Sequence, residues 1–189
     1  WFPLQPVYRR ILLKLSGEAL GGGTSGGSCI DQGFLAALCR KIARMTEMGV
    51  QVALVCGGGN IWRGRTVPGM QRTRADQAGM LATVINGLAL QDELVRQGVQ
   101  AELFTAFEMG PVARRYTRAD ALAVLERGGV AILSAGTGHP YFTTDSAAAL
   151  RAAELEVDAI LMAKTIDGVY TADPKKDKTA AFLPEITCS

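Results

Sequence analysis

The sequence is poor in the residues that most often build metal and redox centres. It has a single histidine, His139, and its four cysteines show no Cys-x-x-Cys spacing. This pattern gives no indication of a zinc site or a thiol–disulfide centre, and we expect no protein-held metal. The cysteines, at positions 29, 39, 56 and 188, are typical of reduced thiols in the cytoplasm.

Long apolar runs and an excess of one sign of charge are also missing. No run reaches the about 18 apolar residues of a membrane span, and no charged leader precedes an apolar core with a cleavage site. The 20 Lys and Arg residues nearly balance the 18 Asp and Glu residues, for a net charge of +2. We therefore expect a cytoplasmic protein with neither a membrane nor a nucleic acid as partner, in which an acidic ligand needs a local site.

Two common phosphate-binding motifs are absent. No Gly-Lys-Ser or Gly-Lys-Thr sequence closes a glycine-rich loop, so the chain has no P-loop. The stretch Gly57-x-Gly59-x-x-Trp62 lacks the third glycine of the dinucleotide-binding fingerprint. A phosphate site in this chain would have to be of another type.

The chain does contain an alternation of apolar runs and amphipathic segments, with 48% apolar residues. The periodicity predicts strands at 8–16, 50–56, 99–105, 130–135 and 159–163, and helices at 31–49, 76–97, 117–127 and after 144–145. The strands are apolar along their whole length, which is typical of a parallel sheet with helices on both faces. We predict an α/β fold, a three-layer αβα sandwich with a mostly parallel sheet, as one domain over 8–189 after an extension at 1–7.

Glycine-rich loops follow several of these strands, at the sheet edge where ligands bind in parallel α/β folds. The three glycines at 57–59 would let backbone N–H groups approach an anion, and Arg63 could add a charged fork. Lys14, near the end of the first strand, could neutralise charge on a transferred phosphoryl group. The alternatives are a tight turn without a ligand and a lysine in solvent.

Two later segments suit a nucleotide. The loop at 136–144 combines glycines, aromatic side chains and a hydroxyl pair before a helix N-terminus, whose dipole favours anions. Alternatively, Thr144 or Asp145 is simply an N-cap. The stretch that follows the last predicted strand indicates a hairpin in which Tyr170 could flank a base and Asp173 could accept a hydrogen bond, or else an ordinary edge hairpin.

Five stretches form a recognisable set. They are Lys14-Leu-Ser-Gly-Glu18, Gly57-Gly-Gly-Asn-Ile-Trp-Arg-Gly64, Gly79-Met-Leu-Ala-Thr83 with Asn86, Thr137-Gly-His-Pro-Tyr-Phe-Thr-Thr-Asp145 and Asp167-Gly-Val-Tyr-Thr-Ala-Asp-Pro174. With them, the chain resembles the bacterial-type UMP kinases of the amino acid kinase family. The hairpin motif and Thr-Thr-Asp are shared across that family, whereas the first three stretches are more specific.

The resemblance implies a reaction and its participants. Such an enzyme transfers the γ-phosphoryl group of ATP to UMP, giving UDP for pyrimidine nucleotide biosynthesis, and uses Mg²⁺ with ATP. The resemblance also implies a homo-oligomer, a hexamer, with GTP as activator and UTP as inhibitor. The loop at 21–29 lacks the aromatic residue that the family carries there, which bears on the GTP response.

The resemblance also assigns residues. Lys14 and Arg63 would be catalytic. The ATP side would comprise Lys14, Leu15, Ser16, Gly17, Gly59, Arg63, Lys164, Tyr170 and Asp173. The UMP side would comprise Gly58, Asp76, Thr137, Gly138, His139, Pro140, Tyr141, Phe142, Thr143 and Thr144.

The chemistry fits a site without a basic catalyst. The attacking phosphate oxygen is ionised near neutral pH, since its second pKa is about 6, so no general base is required. His139 stands where the family usually has Asn, and we assign it no chemistry. The family has a further C-terminal third, so we expect the chain to be C-terminally truncated and poorly active alone.

Two other functions stay open at this point. A related kinase of the same fold could phosphorylate a carboxylate such as glutamate, aspartate or acetylglutamate. Asp76 separates the two kinase hypotheses, because it could accept hydrogen bonds from ribose hydroxyls but would repel an amino-acid carboxylate. The chain could also be a non-catalytic nucleotide-binding module.

Overall fold

The computed structural model describes residues 5–21, 29–62, 68–163 and 168–187. Its strands are β1 (Arg10–Leu15), β2 (Gln51–Cys56), β3 (Ala101–Thr105), β4 (Arg114–Arg115), β5 (Val130–Ser134), β6 (Ala159–Ala163), β7 (Val169–Tyr170) and β8 (Phe182–Leu183). Its helices are α1 (Gly17–Leu20), α2 (Gln32–Glu47), α3 (Arg72–Arg96), α4 (Arg118–Glu126) and α5 (Thr144–Leu155).

The main sheet has six strands in the order β4-β3-β5-β2-β1-β6, and every pair is parallel. Alternate strand residues point to opposite faces: Leu13 and Leu54 pack with α2 and α3, whereas Leu12 and Val55 pack with α4 and α5. The central strands are therefore buried on both sides, which explains why they are apolar at successive positions. The predicted three-layer α/β fold is confirmed.

Local signals set most helix boundaries. The Asp31 side chain accepts a hydrogen bond from the Phe34 N–H at 2.9 Å and begins α2. Thr117 begins α4 in the same way, as predicted from its capping box. For α5 the cap is Thr143, whose hydroxyl accepts from the Ser146 N–H, so the alternative that placed it at Thr144 or Asp145 is wrong.

The start of α3 differs from the one predicted from the sequence. The helix begins at Arg72 rather than at Asp76, because its first turn is polar and offers no apolar periodicity to detect. An ion pair between these two side chains spans that turn at i,i+4 spacing. The glycine-rich loop after β1 also opens with the short helix α1, where the Ser16 hydroxyl accepts from the Ala19 N–H.

The predicted hairpin has a different partner strand. β7 pairs antiparallel with β8 in a separate two-stranded sheet, so the hairpin does not close within 167–174. Asp173 instead accepts a hydrogen bond from the Lys175 N–H and starts a turn, and Pro174 has no N–H to donate to a ladder. Among the helices in the described ranges, none is both long and apolar enough to cross a membrane.

Candidate active site

The triple-glycine turn at 57–59 is pressed against its neighbours. A Cβ on Gly58 would lie 2.7 Å from the Ala82 Cβ on α3, and a Cβ on Gly17 would lie 2.6 Å from the Gly59 backbone nitrogen. Real Cβ atoms essentially never come this close to another heavy atom, so both positions favour glycine. The loops after β1 and β2 therefore meet at the carboxyl edge of the sheet, as the sequence predicted.

The side-chain amides of Asn60 and Asn86 form a pair that holds this turn in place. Asn86 on α3 is fully buried and donates to the Gly57 carbonyl at 2.7 Å. It exchanges hydrogen bonds with Asn60, which also donates to the Cys29 carbonyl at 2.7 Å. Asn86 was only part of a motif in the sequence; the signal that could have singled it out is an amide within an apolar helix segment.

A cleft of about 260 Å³ opens above the turn. Nine of the residues assigned to the nucleotides line it: Gly58, Gly59, Asp76, Thr137, His139, Tyr141, Phe142, Thr143 and Thr144. Its other lining residues are Trp62, Arg72, Ala75, Gly79, Met80, Thr83 and Gly136. Gly138 and Pro140 belong to the same loop but are not among the lining residues. The cleft thus joins the loops after β2 and β5 to the first half of α3.

Lys14 is held beside this cleft. It is 7% exposed, and its Nζ lies 2.6 Å from Asp145 Oδ1 in the first turn of α5. The alternative of a lysine in solvent is therefore wrong. Asp145 received no functional role from the sequence, although it directly follows Thr144 of the cleft wall. The ion pair fixes the position of the buried Lys14 ammonium group at the first turn of α5.

Neighbours of Lys14 are placed less directly. The Leu15 side chain is buried in the core and its carbonyl accepts a hydrogen bond from the Gly57 N–H, so Leu15 supports the turn rather than lining the cleft.

The Cys56 thiol, also near Lys14, is buried. Burial raises the pKa of this thiol to about 12, although the lysine charge opposes the shift. It stays a protonated thiol at neutral pH.

Asp76 connects the two walls of the cleft. Its two carboxylate oxygens share the Arg72 Nε–H, at 2.9 Å each, and Oδ2 also accepts a hydrogen bond from the Tyr141 N–H at 2.9 Å. The Arg72 guanidinium also lies 5.3 Å from the centre of the Tyr141 ring. Arg72 lines the cleft without having been predicted from the sequence, and its charge is balanced by the Asp76 carboxylate. The role of Asp76 toward a ribose stays a prediction.

The remaining assigned residues lie away from the cleft or outside the description. Arg63 and Lys164 fall outside the described residues. Tyr170 packs edge-to-face on Phe182, with ring centres 5.5 Å apart, in the small β7–β8 sheet. Asp173 is exposed in the adjoining turn. Their roles on the ATP side stay predictions.

The fold and the cleft together define a class of protein. In this α/β fold, glycine-rich loops at the strand ends, a buried lysine and the N-terminus of a helix come together, as they do in enzymes that bind phosphates. The sequence profile of the amino acid kinase family matches residues 9–189. The chain belongs to the amino acid kinase family.

Solved structures of UMP kinases resemble it closely. The enzyme from Bacillus anthracis superposes with a TM-score of 0.86 at 37% identity, over 93% of this chain and 72% of that one. The enzyme from Ureaplasma parvum superposes with a TM-score of 0.85 at 41% identity, over 92% of this chain and 74% of that one. These matches support a kinase of UMP kinase type.

Proposed function

We propose that the protein transfers the γ-phosphoryl group of ATP to UMP, giving UDP and ADP. The observation that carries this proposal is the convergence of nine sequence-assigned residues on one cleft, with Lys14 held at its side by Asp145. The similarity to two UMP kinases supports UMP as the acceptor. UMP would lie against the wall of α3 and of the loop at 136–144.

The reaction needs position and charge more than proton transfer. A phosphate oxygen of UMP attacks the γ-phosphorus of ATP, a new P–O bond forms, and the bond to the β–γ bridging oxygen breaks to release ADP. Lys14 and Arg63 would neutralise charge on the transferred group, while glycine N–H groups at 57–59 would hold phosphate oxygens. Mg²⁺ would enter bound to ATP and would supply positive charge that neutralises the phosphate oxygens.

Within the described ranges, no group of three or more His, Cys, Asp or Glu side chains is placed to hold a metal ion. We propose that oxygens of the ATP phosphates and water molecules would hold the Mg²⁺ ion. Ser16, Gly17, Lys164, Tyr170 and Asp173 complete the proposed ATP side.

Self-association is part of the proposal. Leu81, Ile85, Leu88 and Val95 on α3 are 39–56% exposed. Their spacing of four, three and seven residues makes one apolar stripe, as in helices that pair with a second helix. We expect a homo-oligomer, a hexamer, that associates through this stripe. We also expect GTP and UTP as effectors and a cytoplasmic location.

The stripe can be tested with Ile85→Glu, which should lower the molecular mass measured by light scattering. An unchanged mass would rule out the stripe as the surface of association.

A substrate comparison tests the reaction. ATP consumption by the full-length protein is measured with UMP, glutamate, aspartate or acetylglutamate as acceptor. We expect turnover with UMP alone. Turnover with an acid and none with UMP would replace the proposal with a carboxylate kinase, and UMP binding without turnover would indicate a non-catalytic nucleotide-binding module.

A further inference from the structure

A backbone turn of unusual conformation lies where β5 enters the cleft. Ala135 follows the last residue of β5 with a φ of 64°, in the left-handed region that residues with a Cβ rarely adopt. Its side chain is fully buried. The chain continues through Gly136, also at positive φ, to Thr137, and both line the cleft. The direction of this wall therefore depends on the conformation of Ala135.

Thr83 on α3 holds that turn. Its Oγ1 accepts a hydrogen bond from the Ala135 N–H at 2.8 Å and donates one to the Met80 carbonyl at 2.7 Å. The Thr83 carbonyl accepts from the Ser134 hydroxyl at 3.2 Å. Thr83 is 6% exposed, so water has little access to its hydroxyl group. Two hydrogen bonds therefore join α3 to the turn, one from the Ser134 hydroxyl and one from the Ala135 N–H.

We propose that Thr83 is a positioning residue for the acceptor nucleotide. By satisfying the buried Ala135 N–H, it keeps the left-handed turn in place and sets the path of Gly136 and Thr137 into the cleft. Without that acceptor, the N–H is buried unpaired and the turn relaxes. The inference rests on the proposed function, because UMP is the ligand used to test it. It assigns Thr83 no contact with the reacting atoms.

The first test compares variants that differ in one hydroxyl. Thr83→Val keeps the shape of the side chain but removes the acceptor, whereas Thr83→Ser keeps the acceptor. Thr46→Val is the matched control, because among the described residues the Thr46 hydroxyl bonds only to the Ala43 carbonyl of its own helix, α2. Hydrogen exchange of the Ala135 amide is measured by NMR without ligand, and UMP affinity is measured by calorimetry.

We expect Thr83→Val to speed exchange at Ala135 and to weaken UMP binding, each about tenfold, since an unsatisfied buried donor has an effect of this order. Thr83→Ser and Thr46→Val should stay within about twofold of the parent protein. In turnover assays, the loss from Thr83→Val should lie in KM for UMP rather than in kcat. Unchanged exchange and affinity in Thr83→Val would overturn the proposal.

A second substitution separates positioning from direct contact with the ligand. Glycine adopts positive φ without steric cost, so adding Ala135→Gly to Thr83→Val should restore part of the lost affinity, because the left-handed turn is no longer strained although its N–H stays unpaired. If Thr83 acted by touching UMP, Ala135→Gly would restore none of it, and the proposal would fail. A Thr83→Val protein that folds only with Ala135→Gly present also supports the proposal, whereas one that stays unfolded with that change overturns it.

Failure of the proposed function gives a different result. If the parent protein binds no UMP, the function is wrong, and exchange at Ala135 alone decides the role of Thr83. Faster exchange in Thr83→Val but not in Thr46→Val would then still support Thr83 as the residue that holds the turn. Equal exchange in all variants would overturn it.

Discussion

The wall of the cleft formed by β2, α3 and β5 and the outer side formed by β6, β7 and β8 are built in opposite ways. In the wall, backbone packs on backbone and polar side chains such as Asn86 are fully buried. On the outer side, the apolar side chains Ile160, Leu161 and Met162 of the edge strand β6 are 39–41% exposed. The contrast indicates that the wall is preorganised, with its shape fixed by close packing and buried hydrogen bonds, whereas the side chains of the outer strands bury less apolar surface.

Lys14 lies between the two sides, and its removal should have the largest effect. Lys14→Ala should lower turnover of the full-length protein by at least about 100-fold, because one charge that stabilises the transferred phosphoryl group contributes about 3 kcal/mol. The loss should appear in kcat, measured by ATP consumption with UMP saturating. Lys41→Ala, at an exposed lysine on α2, is the control and should change nothing. A variant at Lys14 that keeps a fifth or more of the parent kcat would show that the lysine is structural.

Asn86 tests the preorganised wall itself. Asn86→Ala leaves the Gly57 carbonyl and the Asn60 amide without their shared partner, so we expect a loss of about 2–3 kcal/mol in the free energy of unfolding. Urea denaturation measures it.

Gln91→Ala on the same helix is the matched control. Within the part of the chain that the structure describes, the Gln91 amide makes a single hydrogen bond, to the Ala101 carbonyl at 3.1 Å. It should contribute about 1 kcal/mol or less. Equal losses in the two variants would mean that the amide pair has no special place in the wall.

The parts of the structure that could be predicted are those in which each residue carries its own signal. β5 is apolar at successive positions because it is buried on both faces, and Thr117 begins α4 through a bond to its own helix. The first turn of α3 was missed because it is polar, and β4 because it consists of two exposed arginines. Contacts between distant segments, such as Asp145 with Lys14, depend on which loops the sheet brings together, and no local pattern contains them.

The buried Cys56 thiol, at the end of β2, should make the stability of the protein depend on pH, with an effect of intermediate size. Burial raises the pKa of Cys56 from 9.0 to about 12. Below pH 9 the thiol is protonated in both folded and unfolded chains, so its contribution to stability is constant. Between pH 9 and 12 only the unfolded chain loses the proton, and stability falls by about 1.4 kcal/mol per pH unit.

The Cys56 contribution can be isolated by its slope. Cys39, with a pKa raised to about 12, and Tyr116, raised from 10.0 to about 12, act in the same direction. Unfolding free energies of the parent and of Cys56→Ala are therefore compared at pH 8, 9 and 10. The variant should lose about 1 kcal/mol less between pH 9 and 10. Parallel curves would show that the thiol is ionised, or hydrated, in the folded protein.

The smallest effect is expected on the outer side, where two phenylalanines allow a direct comparison. Phe182 of β8 is 49% exposed and contacts Tyr170, whereas Phe104 of β3 is fully buried in the core. Phe182→Ala should change the free energy of global unfolding by less than about 0.5 kcal/mol, because exposed sites contribute little. Phe104→Ala should cost about 3–5 kcal/mol.

Proteolysis adds a local readout to this pair. Loss of the aromatic contact should open the β7–β8 sheet and speed trypsin cleavage at Lys175 and Lys176 in Phe182→Ala, without any change in the urea midpoint. A loss of 2 kcal/mol or more in global stability from Phe182→Ala would instead make the hairpin part of the cooperative core, because a locally unfolding element cannot lower the stability of the whole domain by that amount. The two sides of the site would then no longer differ in the way the burial of their side chains indicates.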